Sequence, residues 1–284
     1  MSSPQPHASP TPPIAAEDFR YISDLVLRET AIVLESDKDY LVSTRISQLA
    51  REEGIGTVAD LVKLLRKDSY PSLVKKVATA MTTNATSFFR DVHPFRALQA
   101  HILPELITAR SGIRALNLWS AACSSGQEPY SVSMLMRDHF PQIASWTNYL
   151  LATDISTEML DKARAGVFRP IEVNRGLPAS QLIKHFNQIA GEWVIREDIR
   201  RSVDFREMNL AHPWPPIPQM DVILLRNVLI YFGNDTKKLI LERATRVLRP
   251  DGYLILGASE TTWGLEESLE QVNVAGSIVF RKRT

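Results

Sequence analysis

The chain has 284 residues, enough for about two domains of ordinary size. Its 33 Lys and Arg residues balance 32 Asp and Glu residues, so no large net field would draw it to nucleic acid or to an anionic membrane. The longest apolar runs, such as 222–225 and 254–256, fall far short of the roughly 18 residues that a membrane-spanning helix needs. With one cysteine, Cys123, and no basic, apolar leader, the sequence predicts a cytoplasmic protein without membrane insertion.

The amino-terminal region predicts a disordered tail followed by a small helical domain. Residues 1–13 contain five prolines and almost nothing apolar, which is typical of disorder. Over residues 14–80 apolar side chains recur at helical spacing, for example at Phe19, Ile22 and Leu25. We therefore expect three or four short helices in this stretch.

The pattern changes beyond residues 81–110, which we expect to form a linker and a connecting helix. Strands then alternate with helices over residues 111–284, which predicts an α/β domain with a mostly parallel, doubly wound, Rossmann-like sheet. The predicted elements are strand 115–119, helix 128–140, strand 148–152, helix 157–165, strand 221–225, helix 237–248, strand 253–257 and strand 277–281. Residues 177–207 interrupt this alternation with a short amphipathic stretch and β-like 193–196 and 203–205. We expect a small β-subdomain to be inserted there.

Ligands of open parallel sheets bind beyond the carboxyl ends of the strands. The loop after the first predicted strand, 120–130, is rich in small residues but contains neither G-x-G-x-x-G nor a Walker-type Gly-Lys-Ser/Thr, so it does not predict a phosphate cradle. Glu128 at the next helix start favours a ligand ammonium group, with a favourable charge on the helix dipole as an equal alternative. Asp154 after the second strand can accept two hydrogen bonds from a ribose diol, with an N-cap as an equal alternative.

The third predicted strand is followed by Arg226, Asn227 and Tyr231. Two polar side chains and a phenol directly beyond a buried strand are unusual for a solvated loop. An ammonium site and a ribose site without a phosphate site together indicate S-adenosylmethionine as the ligand, whereas NAD would require the missing glycines.

Five segments, in order, resemble the motifs of the CheR-type chemotaxis methyltransferases, which esterify glutamate side chains of chemoreceptors. They are 81–90 (MTTNATSFFR), 119–131 (WSAACSSGQEPYS), 152–155 (ATDI), 209–210 (NL) and 226–232 (RNVLIYF). The resemblance extends over about residues 19–281. It implies a class I methyltransferase fold, S-adenosylmethionine as the methyl donor, S-adenosylhomocysteine as the product, and chemoreceptor methylation helices as the partner.

The same resemblance implies which residues line the cofactor pocket, and it implies that the amino-terminal helices cover that pocket. The pocket residues would be Asn84, Thr86, Arg90, Glu128, Asp154, Asn209, Leu210, Arg226 and Asn227. Asn209 and Leu210 would lie near the adenine.

Arg90 and Tyr231 would face the methyl group and the incoming carboxylate, and they are the candidate catalytic residues. A glutamate side chain, with a reference pKa of about 4.3, is already ionised at neutral pH, so the reaction needs in-line positioning rather than a general base. The alternatives from the sequence are a surface ion pair of Arg90 with Asp91 or Asp18, and core packing of Tyr231 beside Phe232.

Partner recognition is less strongly marked. In the family the second helix presents a basic face to the receptor, and residues 38–53 here offer Lys38, Arg45 and Arg51. Four acidic residues, Asp37, Asp39, Glu52 and Glu53, lie in or beside the same stretch, which also fits an ordinary solvated face. Some members bind a receptor pentapeptide on a β-subdomain with a longer, glycine-containing loop. The short stretch 186–193 resembles the tether-independent members, so we expect no binding of isolated peptide.

Other chemistry is not expected. The six histidines lack metal-ligand spacing, so no metal site is predicted. Cys123 has no suggested His or Asn partner and is expected to be a small residue near the ligand rather than a nucleophile. We expect a monomer that binds no nucleic acid. A small-molecule acceptor, or donor binding without catalysis, are the alternative functions.

Overall fold

The computed structural model describes residues 14–67 and 70–283, so the tail expected over residues 1–13 lies outside the described residues. The chain divides into two compact units between Thr83 and Asn84. The second unit thus begins within residues 81–110, the stretch that the sequence assigns to a linker and a connecting helix. Within the described ranges, none of the helices is long and apolar enough to cross a membrane.

The first unit is helical, as its apolar spacing predicts. Its described residues form α1 (Ala16–Thr30), α2 (Asp39–Glu52), α3 (Val58–Leu65) and α4 (Pro71–Ala80). Helix α3 begins after Thr57, whose side chain accepts the backbone N–H of Asp60 as an N-cap. Ile22, Val42 and Leu61 are completely buried, so the predicted apolar faces form the core of this unit.

The second unit contains a seven-stranded sheet and a separate three-stranded sheet. The strands are β1 (Ala115–Ala121), β2 (Thr147–Asp154), β3 (Val167–Phe168), β4 (Phe186–Ile189), β5 (Glu192–Ile195), β6 (Val203–Glu207), β7 (Met220–Leu225), β8 (Leu248–Leu256), β9 (Leu269–Val274) and β10 (Ser277–Lys282). The helices are α5 (His93–Ala97), α6 (Leu103–Ala109), α7 (Gln127–His139), α8 (Thr157–Ala165), α9 (Pro170–Val173), α10 (Ala179–His185), α11 (Glu197–Arg200) and α12 (Asn234–Val247). A π-helical turn, Leu98–Ile102, joins α5 to α6.

The large sheet has the strand order β6-β2-β1-β7-β8-β10-β9. Strands β6, β2, β1, β7 and β8 are parallel, whereas β10 and β9 form an antiparallel hairpin at the edge. Ala121 at the end of β1 pairs with Thr153 on one side and with Leu225 on the other. The carboxyl ends of β1, β2 and β7 are therefore level, so the loops that follow them meet at one edge. This confirms the predicted fold class.

The boundaries of the predicted insertion need correction. Residues Val203–Phe205, assigned from the sequence to the insertion, lie in β6 and pair with β2 at the edge of the large sheet, where Val203 and Phe205 are buried. The small sheet instead has the order β3-β5-β4, and its first strand precedes the predicted insertion. Strands β4 and β5 are joined by Ala190 and Gly191, both at positive φ (50° and 86°), which is the geometry of a tight two-residue hairpin turn.

A buried ion pair joins the end of α6 to strands β7 and β8, at the end of the sheet that lies opposite the carboxyl ends. Arg110 Nε lies 2.7 Å from Asp221 Oδ1, and the guanidinium also donates to both carboxylate oxygens of Asp251. Asp221 is completely buried, and its second oxygen accepts the backbone N–H of Asn117 at 2.8 Å.

We expect Arg110→Met to lower the free energy of unfolding by about 3 kcal/mol, because it leaves the buried Asp221 carboxylate with only Arg249, whose Nε lies 3.2 Å from Oδ1, as a cation. Urea unfolding followed by tryptophan fluorescence measures this change. The control is Arg114→Met, which replaces an exposed arginine. An equal, small effect of both substitutions would contradict the assigned role of Arg110.

Candidate active site

Asp154 lies at the end of β2 and organises the first part of the site. Its side chain is only 6% exposed, and its Oδ2 and Oδ1 accept the backbone N–H groups of Ser124 (2.8 Å) and Ser156 (2.9 Å). Burial raises the pKa of Asp154, while these hydrogen bonds act in the opposite direction. The N-cap of α8 is Ser156, whose hydroxyl accepts the N–H of Met159, so capping does not explain Asp154. Each carboxylate oxygen still has a lone pair for a ligand hydroxyl.

Glu128 and Arg226 form an ion pair between the first turn of α7 and the loop after β7. Arg226 Nη1 lies 2.7 Å from Glu128 Oε2, and Ser120 donates to Glu128 Oε1 at 2.8 Å. Arg226 Nη2 donates to Asp91 Oδ2 and to the carbonyl oxygen of Arg90, both at 2.8 Å. The Glu128 carboxylate therefore does more than complement the dipole of α7: it is held in place by a buried guanidinium.

The segment that carries Arg90 has an unusual backbone. Phe89, Asp91 and Val92 all have positive φ (47°, 65° and 40°), a conformation that side chains of this size adopt only where the surroundings enforce it. The N–H of Phe89 is held by the hydroxyl of Ser131 at 3.0 Å. Strained backbone of this kind is concentrated at functional sites.

Phe88 anchors the same segment. It is completely buried, and its ring packs edge-on against Phe168 and Phe186 of the small sheet, with centroid distances of 5.1 and 5.6 Å. The small sheet thereby supports the backbone next to Arg90.

The two candidate catalytic side chains are both partly exposed. Arg90 Nη1 donates to the carbonyl oxygen of Ala85 at 2.9 Å, whereas Asp91 pairs with Arg226, so the suggested ion pair between Arg90 and Asp91 is not formed. Tyr231 ends a short 3₁₀ helix, Leu229–Tyr231, beyond β7. The core position beside it is filled by Phe232, which is buried.

The remaining pocket residues predicted by the resemblance lie on loops of the same unit. The carbonyl oxygen of Asn84 accepts the hydroxyl of Ser124 at 2.8 Å, which joins the segment of Asn84 and Thr86 to the loop after β1. Met208 donates its N–H to the carbonyl oxygen of Asp154 at 2.9 Å, so Asn209 and Leu210 follow directly beside the end of β2.

Asn227 follows Arg226 at a positive φ of 56°. Its backbone N–H is held by Glu260, a residue that the sequence analysis did not single out. The sequence analysis considered Asp91 only as a partner of Arg90, its neighbour in the chain, whereas Asp91 pairs with Arg226. Nothing local in the sequence marks Glu260 as a partner of the loop after β7.

Two further expectations concern Cys123 and the basic residues of the first unit. Cys123 is buried and burial raises the pKa of its thiol, which supports its interpretation as a packing residue. Arg45 does not form part of an exposed basic face: it is half-buried and donates to the carbonyl oxygens of Ala80 (3.2 Å) and Thr82 (2.8 Å). Lys38 and Arg51 are exposed.

The donor set fits S-adenosylmethionine. The half-buried carboxylate of Glu128 follows the first strand and suits an ammonium group, and the buried carboxylate of Asp154 ends the second strand and suits a ribose. The loop after β1 contains neither of the glycine-rich phosphate-binding motifs. In addition, Arg226 Nε is buried and has no hydrogen-bond partner among the described residues. A parallel sheet that carries these two carboxylates beyond the carboxyl ends of its first two strands is typical of S-adenosylmethionine-dependent methyltransferases.

Comparison with known proteins identifies the family. The model of the CheR methyltransferase SAM-binding domain matches residues 84–277, and that of the CheR methyltransferase all-alpha domain matches residues 17–82. The chain belongs to the CheR methyltransferase family.

Named relatives are similar over nearly the whole chain. Chemotaxis protein methyltransferase 1 of Pseudomonas aeruginosa is 39% identical over 274 residues, covering 95% of this chain and 99% of the relative. Chemotaxis protein methyltransferase Cher2 of Pseudomonas putida is 37% identical, covering 94% and 98%. The chemotaxis protein methyltransferase of Escherichia coli is 34% identical, covering 87% and 85%.

Proposed function

We propose that this protein transfers the methyl group of S-adenosylmethionine to glutamate side chains of chemoreceptors in the cytoplasm, forming methyl esters in chemotaxis adaptation or related signalling. The observation that carries the proposal is that Arg226 binds Glu128 on the donor side and the backbone of Arg90 on the acceptor side. The names of the relatives, all chemotaxis methyltransferases, support the receptor as the substrate.

On the donor side, the residues of this chain bind and orient. Glu128, already held by Ser120 and Arg226, would take the ammonium group, and Asp154 would take the ribose hydroxyls. Asn209 and Leu210 would flank the adenine. When bound, S-adenosylmethionine supplies an electrophilic methyl group on a positively charged sulfur.

On the acceptor side, the task is alignment. The substrate carboxylate is ionised at neutral pH, so no side chain of the enzyme must remove a proton. Arg90 would hold that carboxylate by a charge-assisted hydrogen bond, and the Tyr231 hydroxyl would steer it toward the methyl group. A loose hold is required, because an oxygen bound too tightly is a poorer nucleophile. Placing the reacting atoms in line and excluding water supplies several kcal/mol of the barrier reduction.

The test uses donor labelled in its methyl group, the purified protein, and membranes that contain candidate receptors. We expect label on the receptor that mild alkali releases as volatile methanol, since a methyl ester is base-labile. The Asp154→Asn protein serves as the inactive control. Label in a small molecule would indicate a different acceptor, base-stable label would exclude an ester, and donor binding without transfer to any acceptor would indicate a non-catalytic module.

We also expect no measurable binding of an isolated receptor carboxyl-terminal pentapeptide. The β4–β5 hairpin of the small sheet closes through only Ala190 and Gly191, which lacks the longer loop of tether-binding family members. Isothermal titration calorimetry measures this, with S-adenosylhomocysteine binding in the same sample as proof of folded protein. Micromolar affinity for the peptide would overturn the expectation.

A further inference from the structure

Glu260, in the loop after β8, binds the backbone of the loop after β7 through its carboxylate. Glu260 Oε2 accepts the backbone N–H groups of Asn227 (2.7 Å) and Gly257 (2.7 Å), and Oε1 accepts those of Val228 (2.9 Å) and Leu229 (2.7 Å). A single side chain thus satisfies a run of consecutive backbone donors that lies 31 to 33 residues earlier in the chain.

These donors need an external partner. The N–H groups at the start of the 3₁₀ helix Leu229–Tyr231 have no acceptor within the helix. Asn227 adds a residue at positive φ, a conformation that persists only when the surroundings hold it. Without the carboxylate, the segment between Arg226 and Tyr231 would lose the contacts that fix its path.

Position 257 is built for this contact. A Cβ at Gly257 would lie 2.6 Å from Glu260 Oε2 and 2.9 Å from the backbone nitrogen of Asn227, closer than real Cβ contacts. Only glycine lets the carboxylate approach both strand ends at this point.

We infer that Glu260 is a positioning residue for methyl transfer: it holds residues 227–230 so that Arg226 stays on the donor side and Tyr231 stays at the acceptor. This inference deepens the proposed function and rests on it. Glu260 acts through the backbone of the loop and touches neither reactant. Its removal should therefore impair turnover much more than donor affinity.

The primary test is Glu260→Gln, because the amide places an N–H donor where the carboxylate accepts N–H groups. We expect amide hydrogen exchange of the peptide 226–232 to accelerate by about 10-fold or more. We expect kcat to fall by about 10- to 100-fold while the Kd for S-adenosylhomocysteine changes by less than about 3-fold. Glu267→Gln, an exposed carboxylate of the same loop, is the matched control and should change none of these.

A double substitution tests whether Glu260 acts through Tyr231. If it does, Glu260→Gln combined with Tyr231→Phe should be about as slow as the slower single variant, whereas independent losses would multiply. Multiplying losses, or unchanged exchange of peptide 226–232 in Glu260→Gln, would overturn the inference. If Glu260→Gln does not fold, Glu260→Asp, whose shorter side chain retracts the carboxylate from the same N–H groups, must show the same accelerated exchange for the inference to stand.

The exchange measurement does not depend on methyl transfer. If the wild-type protein transfers no methyl group to receptors, the proposed function fails, and peptide 226–232 still shows whether Glu260 holds the loop.

Discussion

Asp154→Asn is expected to raise the Kd for S-adenosylmethionine and S-adenosylhomocysteine by at least about 100-fold. The substitution removes the charge that would accept two ribose hydroxyls, and each such charge-assisted bond contributes about 1.5–3 kcal/mol. It also places an amide donor against the N–H of Ser124 or of Ser156. Isothermal titration calorimetry with S-adenosylhomocysteine measures the change.

Ser156→Ala is the matched control, since Ser156 and not Asp154 caps α8. Loss of this cap should cost about 1 kcal/mol of stability and leave donor affinity unchanged. Equal affinities of wild type and Asp154→Asn would show that the ribose is bound elsewhere.

Because burial raises the pKa of Asp154, wild-type donor affinity should also weaken on acidification at a higher pH than for an exposed aspartate.

Arg90→Ala is expected to lower kcat by about 100-fold, and Tyr231→Phe by about 10-fold, with donor Kd changed by less than about 5-fold in both. The reason is that both side chains would contact the acceptor carboxylate, while donor contacts come mainly from Glu128 and Asp154. Kinetics with receptor-containing membranes and labelled donor give kcat, and calorimetry gives the donor Kd.

Arg96→Ala is the charge-matched control for Arg90, because it removes an exposed arginine from the nearby helix α5. It should retain wild-type kcat. Wild-type turnover in both Arg90→Ala and Tyr231→Phe would refute the assignment of these residues to catalysis.

Much of the fold could be predicted because its signals are local. Helix α8 has the predicted bounds, 157–165, since Ser156 marks its start and Gly166 its end. Strand β7 was visible through its apolar run 222–225. Strand β6 could be recognised as β-like, but its short sequence contains nothing that says which sheet it joins, and only its pairing with β2 decides that.

The site was predicted where a strand end and a chemically distinctive side chain coincide, as at Asp154. Contacts between distant residues could not be predicted in this way. The Arg226–Glu128 pair joins residues 98 positions apart. Arg45 donates to carbonyl groups 35 and 37 positions later in the chain, so it does not belong to the exposed basic face that the sequence suggests. A charged residue alone does not reveal whether it faces solvent or another segment of its own chain.

The guanidinium of Arg226 is shared between two tasks. Its Nη1 donates to Glu128 and its Nη2 donates to the carbonyl oxygen of Arg90. A ligand that fixes one of these contacts would therefore also restrict the motion of the other. By linkage, a ligand whose ammonium group binds Glu128 would also help to order the backbone beside Arg90, where the acceptor carboxylate is proposed to bind. The demethylated product keeps the same amino and ribosyl handles, so it would leave the machinery assembled after each cycle, and its departure would become the event that frees the enzyme for another round.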